Sequence, residues 1–253
     1  MSQPGYPVIL NIAGLPVVVV GGGTVATRKV GKLLEAGAQV TVVSPDLAPR
    51  LQEWAGHGKI RWLDKRFEPG DIRGARLVIA ATNDPQVNLA VYNALEPYQW
   101  INIVDRPDLS DFVVPTTLRR GKLSISVSTS GASPGLAKQI TAELAERYDE
   151  VYADYVDFLA QCRLEILQHV SDQKQRQRLF VALLDPVFLR LTREGKQEER
   201  SARYRRLLST AAGSPAGSGA GSATAEVERE AGQDGDSDPA LKQSGQQQNE
   251  DEI

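Results

Sequence analysis

The sequence predicts an α/β protein built on a parallel sheet, followed by a region that is mostly helical. Three observations support this prediction. Over the first hundred residues, apolar β-branched runs alternate with segments of helical periodicity, as they do in doubly wound sheets. A glycine-rich turn joins the first run to the first helical segment. After Pro115 this alternation stops, and from residue 148 to about 208 the pattern is helical and rich in Arg and Lys.

The first βαβ unit covers residues 16–46. Val17 to Val20 form a continuous β-branched run, which is typical of a strand buried on both faces of a parallel sheet. Three glycines follow, and the apolar residues after them recur at helical spacing until Ala36 to Ala38, where the helix is expected to end. Residues 39–43 are predicted to form the second strand, which completes the unit.

The same rhythm continues to residue 104. Asp84 is the expected N-cap of one helix, with Pro85 at its first position. Helices are predicted over residues 46–56 and 83–96, and strands over residues 59–63, 76–82 and 100–104.

Two patterns follow Pro115. The segment "KLSISVSTS" over residues 122–130 alternates apolar and polar positions like a half-exposed strand. Residues 133–167 are predicted to be helical, with Ser133 as the cap and Pro134 at the first position.

Charge is distributed unevenly along the chain. From Ala211 onward the sequence consists mainly of Gly, Ala, Ser, Gln and acidic residues, so we expect an acidic, disordered tail over 211–253. This tail has nine acidic and two basic residues, a net charge of −7, whereas the whole chain carries −3, which leaves +4 for residues 1–210. Residues 163–206 hold eleven basic and six acidic residues, which form a solvated face, a nucleic-acid-binding patch or a surface that attracts an anionic ligand.

Several classes of protein are disfavoured. The single cysteine, Cys162, cannot form an internal disulfide, which fits a reducing, cytoplasmic location. The start lacks the pattern of a signal peptide, and no apolar run approaches the roughly 18 residues of a membrane span. His57 and His169 lie far apart and no metal-ligand spacing occurs, so we expect no metal site. No nucleic-acid-binding motif is present.

The glycine-rich turn has the pattern Gly21-x-Gly23-x-x-Ala26, directly after a strand and at the start of a helix. Gly21 permits the tight turn, Gly23 lets a pyrophosphate approach the backbone, and Ala26 allows close packing of helix on strand. The pattern predicts a Rossmann-like fold that binds a dinucleotide. The alternative is a turn whose glycines serve packing alone.

The second strand ends in Ser44-Pro45-Asp46, where an acidic residue usually binds the ribose. Asp46 stands two residues late and either binds the ribose or caps the following helix. No arginine follows Ser44 directly, which favours NAD over NADP.

Two further strand ends should line the same crevice. Ala81 and Thr82 are small enough for a nicotinamide ring to lie against them, although this turn also suits capping by Asp84. Asp105 ends the next strand, whereas Asp108 and Asp111 are expected to be turn formers.

Four segments carry a resemblance to a known family: "YPVILNIAGLPVVVVGGGTVATRKVGKLLEAGAQVTVVSPDL", "VIAATNDPQVN", "NIVDRPDLSDFVVP" and "ISVSTSGASPGLAKQI". In order and spacing they resemble the precorrin-2 dehydrogenase / sirohydrochlorin ferrochelatase family of sirohaem biosynthesis. The resemblance implies oxidation of precorrin-2 to sirohydrochlorin with NAD as hydride acceptor. In some members ferrous iron is then inserted into the tetrapyrrole to give sirohaem. The methyltransferase domain that is fused to some members is not expected here.

The resemblance also implies roles for particular residues and regions. Asp105 matches the general base, and a homodimer is expected to form through the region after residue 112. The implied organisation is an NAD-binding Rossmann domain over 1–112, a small α+β dimerisation region over 113–147, a helical domain over 148–210 and the tail. The candidate dinucleotide-binding residues are Gly21, Gly22, Gly23, Thr24, Val25, Ser44, Pro45, Asp46, Ala81 and Thr82.

Two alternatives remain open from the sequence. One is a dehydrogenase whose product passes to a separate chelatase. The other is a non-catalytic dinucleotide-sensing module, which accounts for the glycine turn but not for the segments after residue 100.

Overall fold

The computed structural model describes residues 5–104 and 106–212, with side chains as far as Thr210. Asp105 and the predicted tail from residue 213 onward lie outside the described residues. The last helix continues to Ala212, two residues beyond the boundary predicted at 210.

The first part of the chain forms a five-stranded parallel sheet in the order β3-β2-β1-β4-β5. The chain runs from β1 to β2 and β3 on one side, then returns to the other side of β1 to form β4 and β5. Ligand crevices form where the order reverses in this way, outside the carboxyl ends of the strands. The strands are β1 Pro16–Val20, β2 Gln39–Val43, β3 Arg61–Leu63, β4 Leu77–Ala80 and β5 Trp100–Ile103.

Three helices cover the sheet: α1 Thr24–Glu35, α2 Pro49–Gly56 and α3 Pro85–Asn93. Successive strand residues point to opposite faces, so Val17 and Val19 pack with α1 while Val18 and Val20 pack into the opposite layer. The β-branched run of β1 is therefore buried on both faces, as predicted. This arrangement confirms the Rossmann-like α/β fold.

The element boundaries differ from the predictions at several ends. The helix expected from residue 46 begins at Pro49, because that proline occupies the first helical position after Ala48. The helix expected over 83–96 is shorter, and Asp84 is its N-cap as predicted, since Asp84 Oδ1 accepts the Gln86 N–H at 2.8 Å. The predicted strands 59–63 and 76–82 are also shorter in the structure.

A second, antiparallel sheet follows, made of β6 Thr116–Arg120 and β7 Leu123–Val127. The sequence predicted a strand near β7 but missed β6, since "TTLRR" has one buried residue, Leu118, and no clear apolar period. Gly121, with φ +56°, makes the turn between them. Helix α4, Pro134–Arg147, packs on this sheet, and Ser133 caps it by accepting the Leu136 N–H at 3.2 Å.

The remaining described chain forms four helices: α5 Val151–His169, α6 Gln173–Ala182, α7 Pro186–Arg193 and α8 Gln197–Ala212. The helical segment predicted over 133–167 breaks at residues 148–150, where Tyr148 leaves helical geometry at φ −109° and ψ 75°. The helices share an aromatic core in which Phe158 and Phe188 stack with ring centroids 5.7 Å apart. Among the described residues no helix combines the length and apolarity that a bilayer crossing requires.

Candidate functional site

The glycine turn lies at the carboxyl edge of the sheet and touches the two neighbouring turns. Gly21 has φ +115°, and a Cβ there would lie 2.5 Å from the Ala81 carbonyl oxygen. A Cβ on Gly22 would lie 1.9 Å from the Asp46 carbonyl oxygen. Gly21 and Gly22 are therefore required by the approach of the protein's own backbone, before any ligand is considered.

Gly23 differs from the two glycines before it. Its φ of −85° is open to any residue, and a Cβ placed on it meets no atom within 4 Å. The empty space lies at the start of α1, where a side chain would intrude on a bound group. The sequence prediction that Gly23 keeps a path open to the backbone is consistent with this geometry.

Among the described residues, no side chain occupies the N–H groups at the N-terminus of α1. Gly23 is the N-cap residue, no side chain caps the helix, and no acidic residue occurs in the first turn. The first N–H groups of a helix lack intrahelical acceptors and carry the positive end of the helix dipole. Thr24 is exposed and Val25 is half-buried beside these groups. Together with the space at Gly23, this end of α1 fits the pyrophosphate of a dinucleotide.

Hydrogen bonds hold the three turns together. The Gly21 N–H donates to the Val43 carbonyl at 2.9 Å, and the Ala48 N–H donates to the Gly22 carbonyl at 2.7 Å. The Ala81 N–H donates to the Val20 carbonyl at 2.8 Å. The candidate residues of the β1–α1, β2–α2 and β4–α3 turns therefore lie at one edge of the sheet.

The segment Ser44-Pro45-Asp46 follows β2 in this cluster. Ser44 is buried and its carbonyl accepts the Trp62 indole N–H at 2.8 Å, while Pro45 and Asp46 are exposed. The N-cap of α2 is Ala48, and no side chain caps that helix. The interpretation of Asp46 as a helix cap is therefore wrong, whereas binding of a ribose by Asp46 stays a prediction.

Ala81 and Thr82 follow β4, and the turn after them is held by Asn88 of α3. Thr82 Oγ1 lies 2.8 Å from Asn88 Oδ1, and Asn88 Nδ2 donates to the Thr82 carbonyl at 3.1 Å. Asn88 is buried, and sequence reasoning missed it. The sequence feature that could have identified Asn88 is a polar residue on the buried face of a short helix, one turn after the Asp84 cap.

Residues 106–112 run back along the outer edge of β5. Asp111 pairs with Ile101 as a strand residue would: its N–H donates to the Ile101 carbonyl and its carboxylate accepts the Ile101 N–H, both at 2.9 Å. Ser110 Oγ accepts the Ile103 N–H at 2.9 Å. Asp111, expected to be a turn former, thus covers a strand edge.

Arg106 and Asp108 form an exposed pair in this segment. The guanidinium donates from Nε and Nη2 to the two carboxylate oxygens at 2.9 and 2.7 Å. The contact raises the pKa of Arg106 and lowers that of Asp108, mainly through the hydrogen bonds. Asp108 therefore stabilises the turn, as predicted.

Lys29 of α1 reaches across the same face of the sheet to β5. Its ammonium donates to Asn102 Oδ1 at 2.8 Å, and Asn102 Nδ2 donates to the Phe112 carbonyl at 2.9 Å. The pKa of Lys29 is lowered to about 8, first by burial and then by the charges of Arg28 and Lys32. Sequence reasoning missed this pair, although Asn102 was a lone polar residue in an apolar strand.

The basic helical region uses several of its charges internally. Arg193 pairs with Asp149 at 3.1 Å, Arg203 lies 3.8 Å from Asp185, and the Arg200 guanidinium lies 4.3 Å from the centre of the Phe158 ring. Arg205 and Arg206 are exposed. Attraction of an anionic ligand by this region stays a prediction. Fewer arginines are available for it than the sequence count suggests, because several have partners within the protein.

The described residues offer neither a cluster of metal ligands nor a reactive thiol. Residues 5–104 and 106–212 contain no group of three or more His, Cys, Asp and Glu side chains that could hold a metal ion. The imidazoles of His57 and His169 each lie within hydrogen-bond distance of a backbone carbonyl. Burial raises the pKa of Cys162 to about 12, so this thiol is not activated as a nucleophile.

Two family models match the chain. A family described as putative NAD(P)-binding matches residues 8–116, which include β1 to β5 and the glycine turn. A family described as sirohaem biosynthesis protein, central, matches residues 120–147, which include β7 and α4.

Individual proteins give a consistent result. The chain is 35% identical over 180 residues to precorrin-2 dehydrogenase of Priestia megaterium, an alignment that covers 71% of this chain and 89% of that protein. It is 38% identical over 194 residues to siroheme synthase of Nitrosococcus oceani, covering 76% of this chain but 42% of that longer protein. The solved structure of SirC, precorrin-2 dehydrogenase, superposes with a TM-score of 0.68 at 31% identity, covering 82% of this chain and 99% of SirC. Because this similarity extends over nearly the whole of the dehydrogenases, the chain belongs to the precorrin-2 dehydrogenase family.

Proposed function

We propose that this protein oxidises precorrin-2 to sirohydrochlorin in sirohaem biosynthesis, with NAD as the acceptor. The observation that carries the proposal is the open Cβ position at Gly23, beside an uncapped helix N-terminus, in a chain of this family. Packing requires Gly21 and Gly22 but does not require Gly23, whose φ of −85° suits any residue and whose Cβ position is open. The non-catalytic alternative has no support from the family members that match nearly full length.

The reaction asks little of the protein's side chains. Precorrin-2 loses two electrons and two hydrogens, of which one leaves as a hydride and the other as a proton. NAD, when bound, supplies the hydride acceptor. The chain must orient the two reactants and provide a group that receives the proton. A crevice without histidine, reactive thiol or metal cluster is sufficient for that task.

An anaerobic assay tests the function directly. With precorrin-2 and NAD, the purified chain should form NADH and sirohydrochlorin in equal amounts, measured by absorbance. No NADH above the enzyme-free control would contradict the proposal. Ferrous iron is added in a second stage. We expect sirohydrochlorin to be consumed no faster than in the control without enzyme. Rapid conversion to sirohaem would instead assign chelatase activity to this chain as well.

The glycine turn allows a matched pair of substitutions. Gly23→Val should leave the melting temperature near that of the wild type, because its side chain enters open space, but should abolish measurable NAD binding in calorimetry. Gly22→Ala should lower the melting temperature instead, because its Cβ would lie 1.9 Å from the Asp46 carbonyl oxygen. Unchanged NAD affinity in a folded Gly23→Val protein would show that the dinucleotide binds elsewhere.

We propose Asp105 as the residue that receives the proton. It follows the end of β5 by two positions in the sequence, and the family resemblance selects it. Asp108 in the same segment already accepts both hydrogen bonds from Arg106, and Asp111 holds the β5 edge. Asp108 and Asp111 therefore have structural roles, and Asp105 is the candidate proton acceptor among the three aspartates.

Asp105→Asn keeps the side-chain shape and removes the proton acceptor. Loss of a general base typically lowers a rate by roughly 10²–10⁴-fold, so precorrin-2 oxidation should fall within that range while NAD affinity stays unchanged. Asp108→Asn is the matched control, which should reduce the rate by less than threefold because it breaks only a surface ion pair. If Asp105→Asn oxidises precorrin-2 at a near wild-type rate, another group receives the proton.

We also propose that two copies of the chain associate through the region after residue 112. A two-stranded sheet is marginally stable by itself, and β6 and β7 leave most of their residues partly exposed. Val113, Val114 and Leu136 are exposed apolar side chains around this sheet. Light scattering should give twice the 27.5 kDa chain mass. Leu136→Asp should weaken the association, and a monomeric wild type at micromolar concentration would contradict it.

We place the reaction in the cytoplasm. Cys162 is the single cysteine of the chain, and it is buried, so no disulfide supports the fold. Cell fractionation of the native protein is the corresponding measurement, and recovery outside the cytoplasm would contradict this location.

A further inference from the structure

The Lys29–Asn102 pair is a polar contact with no role in the function described so far. Asn102 is 7% exposed and lies in β5 beside Ile79 of β4, whose side chain belongs to the apolar layer that α1 covers. Lys29 enters this layer from the second turn of α1. An amide and an ammonium thus occupy positions where apolar side chains would pack.

The pair is costly for folding. Burial disfavours the charged form of an amine, and it is the largest of the causes that lower the pKa of Lys29. The charges that act on Lys29 from the described residues are Arg28 and Lys32 of its own helix, and both are repulsive. Its hydrogen-bond partner is the uncharged Asn102 amide, which itself donates to the Phe112 carbonyl. Burial of the amine opposes folding, and the described contacts of Lys29 include no opposite charge that offsets it, so stability alone does not account for the pair.

The pair connects two parts of the candidate site. One end is α1, whose first turn borders the open space at Gly23. The other end is Phe112, the last residue of the segment that Ser110 and Asp111 hold against the edge of β5. Lys29 and Asn102 are 73 residues apart in sequence, and their contact links α1 to β5 and, through Asn102, to the segment after β5.

We propose that Lys29 is a positioning residue for the oxidation: through Asn102 it holds the segment 106–112 at a fixed distance from the helix whose N-terminus receives the dinucleotide. This inference rests on the proposed function. Lys29 acts through Asn102, so its loss should slow the chemical step and leave dinucleotide affinity intact. Misplacement of reacting groups by about 1 Å can cost on the order of 100-fold in rate.

The test compares Lys29→Met with Lys32→Met, an exposed lysine on the same helix. Lys29→Met should lower kcat for precorrin-2 oxidation by about 10- to 100-fold, with Kd for NAD within about twofold of wild type. Lys32→Met should keep the wild-type kcat, and Lys29→Arg, which restores a donor, should recover part of the loss. A kcat within twofold of wild type for Lys29→Met would overturn the inference.

A double-substitution cycle with Asn102→Leu separates positioning from general destabilisation. If Lys29 acts through Asn102, the double variant should be no slower than the slower single variant. Rate losses that multiply would show independent effects and overturn the inference. Failure of the wild type to oxidise precorrin-2 is a different result, which removes the proposed function and this inference with it.

The burial of Lys29 can be measured without turnover. Its pKa is about 8 in the folded chain and 10.5 in the reference state, so the unfolded chain binds more protons between these pH values. The free energy of unfolding should therefore rise with pH across this window through this group. Lys29→Met should lose that rise, whereas Lys32→Met should keep most of it, because burial is the largest cause of the lowered pKa and the charge of Lys32 comes after it. Equal pH dependence in wild type and Lys29→Met would show that the ammonium is not buried, which overturns the inference.

Discussion

The close approach of three backbone turns at the carboxyl edge of the sheet is the constraint on which the candidate site depends. The β1–α1 turn lies so near the β2–α2 and β4–α3 turns that Gly21 and Gly22 have no room for a Cβ. Two of the three glycines therefore serve the protein itself. Their packing places the start of α1 between the flanking turns, and open space remains at the third glycine, where we propose that the dinucleotide binds. The proposed dinucleotide site therefore rests on contacts between backbone turns of the protein itself.

The edge of the sheet beyond β5 shows how polar side chains can replace a missing strand. An edge strand presents unpaired N–H and C=O groups, which proteins usually cover. Here Asp111 and Ser110 satisfy the N–H groups of Ile101 and Ile103. The same hydrogen bonds hold in place the segment that follows Asp105. One short stretch of chain therefore protects the sheet edge, and the hydrogen bonds from Lys29 to Asn102 and from Asn102 to Phe112 connect that stretch to α1.

The helical region illustrates why net charge alone is a weak guide to a binding surface. Residues 163–206 are rich in arginine, yet Arg193 and Arg203 pair with aspartates at helix ends or between helices, and Arg200 lies over the Phe158 ring. Arg200 lies over the ring of Phe158, whose other neighbours are Phe188 and Tyr204. These arginines contribute to packing as well as to charge. Arg205 and Arg206 are exposed, as are Lys174 and Arg178, and these charges can act on an anionic substrate at long range.

The sequence by itself determined the βαβ rhythm, the glycine turn, the caps at Asp84 and Ser133, and the family. These features are local, because hydrophobic period, capping and turn chemistry each depend on a few neighbouring residues. Only the tertiary structure decided the roles of Gly22, Asn88 and Asn102, the pairing of β6 with β7, and the helix break at 148–150. Each depends on partners that the local pattern does not identify. Gly22 meets the backbone of Asp46, and Asn102 meets Lys29 from 73 residues away. The position of such a partner follows from packing of the whole sheet, which no local pattern encodes.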